Sequence, residues 1–173
     1  MKTKTLVILL ISISLLFIAC DEDSITEAVL GTNTITLSGD ISSSFDAPSM
    51  AGFIAEDSVF TMVMSPNINT DNYEDMLFLW KVSSALPTVG RYNVSFTENG
   101  GNGETDDGAF HGFFGVNDST FYQMESGTVE ITSSSSVKIE GTFDMSGAKF
   151  NFDLTTSGEL NVVGKFSTVP LSN

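Results

Sequence analysis

Val137-Lys138-Ile139-Glu140-Gly141-Thr142-Phe143-Asp144-Met145 alternates without a break. Val137, Ile139, Gly141, Phe143 and Met145 fall on one side, and Lys138, Glu140, Thr142 and Asp144 on the other. Successive side chains of an extended chain point to opposite faces, so the stretch reads as a strand with one buried and one wet face. The same period runs outward from it. Val129 and Ile131 alternate with Thr128, Glu130 and Thr132; Phe150, Phe152 and Leu154 alternate with Lys149, Asn151 and Asp153. Leu160, Val162 and Phe166 alternate with Asn161, Val163 and Lys165, and Tyr92, Val94 and Phe96 with Arg91, Asn93 and Ser95.

Thr34–Phe45 alternates as well, and predicts one long strand bent at Gly39. Phe60, Met62 and Met64 mark a further strand, and Phe110–Val116 and Thr120–Met124 mark two more. Met76–Trp80 is continuously apolar and predicts a strand buried on both faces. Ser133–Ser136, Ser146-Gly147, Ser157-Gly158 and Asn117-Asp118 carry turn chemistry. Asp71–Asp75 has room for one helical turn at most. Short strands joined by hairpin-like turns predict an all-β fold: an antiparallel sandwich of about ten strands, with a lipocalin-like β-barrel as the alternative.

The N-terminus is of another kind. Lys2 and Lys4 precede an apolar run from Leu6 that ends in Phe17-Ile18-Ala19-Cys20. A positive start, an apolar middle and a small residue before a cut define a secretory signal. The run is about 14 residues, short of the roughly 20 that a spanning helix needs. Cys20 is the only cysteine, so no disulfide partner exists for it within the chain. The organisation expected is a signal peptide over 1–19, a flexible acidic tether over 20–32 and one all-β domain over 33–173. About 140 residues suffice for a real core. Of the chain's fourteen Phe, the thirteen that follow Phe17 must supply much of it, each worth roughly 1.5–3 kcal/mol when fully buried.

The residues around Cys20 resemble the lipobox of bacterial lipoproteins, with Phe17 standing where that pattern usually has Leu. The resemblance implies that Cys20 is lipidated and becomes the first residue of the mature protein. A diacylglyceryl group with an N-acyl chain anchors stably, whereas one chain binds marginally. Asp21-Glu22-Asp23 resembles the acidic export signal of Bacteroidetes-type surface lipoproteins. That implies an outer-membrane lipoprotein exposed at the cell surface; the plain alternative is a solvated charge run. Ser126–Thr132 followed by Ile139–Asp144 resembles a recurrent hairpin of uncharacterised β-rich lipoproteins of that type, with Gly90-Arg91-Tyr92 similar to a preceding strand. This resemblance brings no catalytic residue. Asp23-Ser24-Ile25, Asp57-Ser58-Val59 and Asp118-Ser119-Thr120 resemble the O-glycosylation sequon of such proteins.

Charge narrows the partners. The chain has 7 basic and 22 acidic residues, and loss of Lys2 and Lys4 leaves 5 − 22 = −17. Nucleic acid and anionic lipid both need clustered Lys and Arg, so neither is an expected partner. His111, the single histidine, flanks apolar positions and reads as structural. With one His and one Cys, zinc sites of the usual nitrogen and sulfur type are not available. No G-x-S-x-G elbow accompanies the abundant Ser and Asp. Asn69, Asp71 and Glu74 in one loop and Glu104 and Asp106 in another supply oxygen ligands for calcium. Neither loop has the EF-hand pattern, and both read equally as solvated loops. Adjacent Asp106 and Asp107 do not define a glycosidase pair. Trp80 reads as core, with a sugar-stacking platform as the alternative. The function these features imply is a non-enzymatic, lipid-anchored binding or interaction module of the cell envelope. A lipocalin-like carrier of an apolar ligand is the alternative, and a surface hydrolase a third. No catalytic residue or cofactor is expected, calcium apart. An envelope protein, a glycan or a small apolar ligand is the partner class.

Overall fold

The computed structural model describes residues 31–54, 59–66, 74–96, 108–117, 119–150 and 156–170. These residues form nine strands and no helix. They are β1 (Gly31–Gly39), β2 (Ser43–Ile54), β3 (Val59–Met64), β4 (Met76–Val82), β5 (Gly90–Asn93), β6 (His111–Asn117), β7 (Thr120–Ser134), β8 (Ile139–Phe150) and β9 (Thr156–Thr168). Every ladder between them is antiparallel.

The sheet order is β5-β7-β6-β4-β3-β2-β1-β9-β8, and β8 also pairs with β7. That last ladder closes the sheet on itself. The expected sandwich is therefore corrected to a closed eight-stranded barrel with one extra strand, the alternative architecture. A sandwich and a small barrel both give each strand one inward and one outward face. Alternation is the same in the two, and only ladder closure separates them. Strands of 12 to 15 residues span about 40 Å or more at roughly 3.3 Å per residue. They coil round the barrel with help from bulges at Met124/Ser126, Ile131/Ser133 and Ala148/Lys149.

The extra strand has a simple place. β6 pairs with the first part of β7, through Phe113↔Gln123 and Phe114↔Tyr122. β5 pairs with the same edge further along, through Gly90↔Ile131 and Tyr92↔Val129. Both run antiparallel to β7, so β5 and β6 lie in tandem and share one stave. Their junction is stitched by Phe110 N–H to Asn93 O at 2.9 Å and Ser95 N–H to Phe110 O at 3.0 Å. With the pair counted as one stave, chain order and spatial order agree around the ring. The topology is an up-and-down barrel.

Several sequence expectations change in detail. Thr34–Phe45 is two strands, not one, because Gly39 takes φ 107° and reverses the chain. Period two continues through the turn, with Ile41 and Phe45 still packed on the core, which made the break invisible to patterning. Thr120–Met124 and Val129–Ile131 are one bulged strand, β7. Ser146-Gly147 lies inside β8 and makes no turn. The hairpin expected from Ser126–Thr132 and Ile139–Asp144 is present as β7–β8, with Val129 opposite Phe143. Phe152 and Leu154 lie outside the described residues. β1 starts at Gly31, inside the stretch assigned to the tether.

Side chains fill the barrel. Ile35, Phe60, Met62, Met64, Leu77, Leu79, Phe110, Phe114, Met124, Val129, Ile139, Leu160 and Val162 are all within 1% of zero exposure. A space large enough for water beside them would give them measurable exposed area. Small residues make the fit possible. Gly141 lies under Phe166 and Gly164 under Phe143: a Cβ on either would come within 2.7 Å of the ring's Cζ. Those two rings stack with centroids 6.3 Å apart. Alternating large and small residues is how a narrow barrel reaches interior packing density.

Candidate functional site

The outside of the barrel has two halves. On β1, β7, β8 and β9 most outward positions are polar: Thr36, Glu130, Thr142, Asp144 and Lys165 are exposed, and Val163 is an apolar exception. An apolar interior behind a polar outer face is the reverse of a lipid-spanning barrel. On β3, β4 and β6 most outward positions are apolar, with Thr61 and His111 among them. Val63 faces Phe78 across one ladder, and Phe78 faces Phe113 across the next. Trp80 stacks on Phe78 at 5.4 Å and on Phe113 at 5.3 Å. Val59, Phe78 and Trp80 are each less than a tenth exposed and form a second apolar cluster. The continuous run Met76–Trp80 thus serves two cores, Leu77 and Leu79 inside and Phe78 and Trp80 outside.

His111 belongs to this outer cluster. It lies opposite Trp80 in the ladder, with ring centroids 5.5 Å apart. Its Nδ1 lies 2.7 Å from the main-chain carbonyl of Ser95. At 1% exposure the imidazole is buried. The geometry is that of a packing residue.

The two ends of the barrel differ. At one end Lys81 faces inward, 5% exposed, with Nζ donating to Val82 O at 3.1 Å and lying 5.9 Å from the centre of the Tyr92 ring. Asn33, Ser49 and Thr168 are buried. Asn33 bridges β2 and β9, donating to Ala47 O at 2.7 Å and accepting Ser167 N–H at 3.0 Å. Thr168 Oγ1 is buried with no hydrogen-bond partner among the described residues, an arrangement that costs roughly 1–3 kcal/mol.

At the opposite end the β1–β2 turn crosses the barrel mouth. Asp40 N–H donates to Glu159 O at 2.8 Å, and Tyr122 Oη donates to Asp40 Oδ2 at 3.1 Å. The tyrosine is an inward residue of β7, buried beside Leu160 and Met124 in the core. Its pKa is raised, first by burial and then by the hydrogen bond to Asp40 and by repulsion from that carboxylate. Gly158, at φ 74°, lies against the carboxylate, which a Cβ there would overlap.

The sequence-predicted site residues fare unevenly. Cys20 and calcium candidates Asn69, Asp71, Glu104 and Asp106 lie outside the described residues, as do Asp107, Ser24 and Ser58. Glu74 is an exposed turn residue before β4, and its main-chain carbonyl accepts Ser65 Oγ at 3.4 Å. Among the described residues no three His, Cys, Asp or Glu side chains converge as a metal site. Ser119 is exposed in the β6–β7 turn, with Oγ donating to Asn117 Oδ1 at 3.0 Å. The Asp40–Tyr122 pair carries no local sequence signal, because its members are 82 residues apart.

Fold and packing together define an up-and-down antiparallel β-barrel of eight staves with a filled interior. No protein-family model, curated protein or solved structure matches the chain.

Proposed function

We propose that this protein is a lipid-anchored, non-enzymatic binding module of the cell envelope, tethered through Cys20 at the outer membrane and displayed at the surface. The observation that carries the binding part is the packed interior, which leaves the outside and the ends of the barrel as the places to engage a partner. Burial of His111 supports the non-enzymatic reading. The lipobox-like Phe17-Ile18-Ala19-Cys20 supports the anchor, and Asp21-Glu22-Asp23 the surface destination. Expression of the full chain and of Cys20→Ser in a Gram-negative host tests the anchor. The parent is expected in the detergent phase, with a diacylglyceryl mass on Cys20. The variant is expected in the aqueous phase. Equal partitioning of the two, or an unmodified Cys20, would refute it.

A second reading is a lipocalin-like carrier of an apolar ligand. The closed barrel favours it, and so do the methionines at interior positions 62, 64, 124 and 145, because thioether side chains repack readily around a guest. A filled barrel serves as a carrier only if one end opens.

A further inference from the structure

The β1–β2 turn, residues 39–42, joins two neighbouring strands of the barrel wall, and its Ile41 packs on the core. Three features converge on Asp40 alone. Its N–H is fixed to Glu159 O, its carboxylate accepts the Tyr122 hydroxyl, and the missing side chain of Gly158 leaves room for that carboxylate. Asp40 itself is exposed. One exposed residue therefore ties the turn to β9 through its main-chain N–H and across the end to β7 through its carboxylate. Leu37 and Leu160, on the paired strands β1 and β9 next to the turn, are buried, as are Met124 on β7 and Phe114 on β6. They are apolar, and Met124 lies against the Gly147 backbone, where a Cβ would come 2.8 Å from its Cε.

We propose that the β1–β2 turn is a lid latched by the Asp40–Tyr122 hydrogen bond, and that its release opens this end of the barrel to an apolar molecule. The proposal rests on the carrier reading for what enters and on the geometry of Asp40 for where. A hydrogen bond to a charged group holds a local equilibrium by a factor of about ten or more. The test uses the whole chain, Tyr122→Phe and Asp40→Ala, with two readouts: amide hydrogen exchange, and fluorescence of N-phenyl-1-naphthylamine as the apolar probe.

Either substitution is expected to speed exchange at residues 37–46 by about tenfold, with β3 and β4 unchanged within about twofold, and to raise probe fluorescence. The double variant is expected to match the singles, since both remove one bond. Exchange that rises evenly over the barrel, or does not rise, overturns the latch. Local exchange without probe uptake overturns the lid as an entrance, and the carrier reading with it. Asp40→Ala changes an exposed turn residue, so the test does not depend on Tyr122→Phe folding well.

Discussion

Tyr122 shows how one residue ties chemistry to stability. Burial disfavours its phenolate, and Asp40 both accepts its proton in a hydrogen bond and repels the anion. Its pKa therefore lies above 10.0 in the folded chain. The folded state holds this proton more tightly than the unfolded state. The resulting stabilisation is complete below pH about 10 and is lost as pH rises through the folded-state value. Melting temperatures measured from pH 8 to 11.5 are expected to fall more steeply at the alkaline end for the parent than for Tyr122→Phe. Superimposable profiles would rule the effect out. Nothing near Tyr122 in sequence announces this role. Its spacing of two from inward Met124 marks it as a core position, whereas the carboxylate that meets it arrives from a turn 82 residues away.

At the scale of the element, β8 and β9 show how notches replace side chains. Gly164 accepts the edge of Phe143, and an added methyl would lie 2.5 Å from that ring and also against Thr34 O. Gly164→Ala is expected to cost about 1–3 kcal/mol through overpacking, read as a lower urea midpoint with an unchanged slope. Val163→Ala, on the outward face of the same strand and 44% exposed, is expected to change stability by less than about 0.5 kcal/mol. A loss at 163 equal to that at 164 would contradict the inward assignment. The inward and outward faces of β7, β8 and β9 were legible in the sequence, because period two is a local property of a strand. The break at Gly39 was not, since the turn preserves the same period. The joining of Thr120–Met124 to Val129–Ile131 was hidden too, because a bulge shifts the phase by one residue.

For the whole molecule, β4 couples two apolar clusters through one strand. Trp80 reports on the outer cluster and is the only tryptophan. Leu77 and Leu79, its neighbours on the same strand, pack inside. Unfolding followed by Trp80 emission is expected to coincide with unfolding followed by far-ultraviolet circular dichroism, as for a single cooperative unit. Separate midpoints would mean that the outer wall loosens by itself. Whether His111 meets a Ser and an Asp, the discriminator of the hydrolase reading, depends on residues that the sequence pattern does not bring together. The structure places the imidazole against Trp80 and the Ser95 carbonyl. By itself the sequence determined the class of the fold and the inward residues of most strands, both of which depend on residues close together in the chain. Only the tertiary structure decided that the sheet closes, that β5 and β6 share a stave and that Asp40 reaches Tyr122. Each of these depends on ladders or contacts between distant segments, and an alternating pattern carries no information about which strand lies beside which.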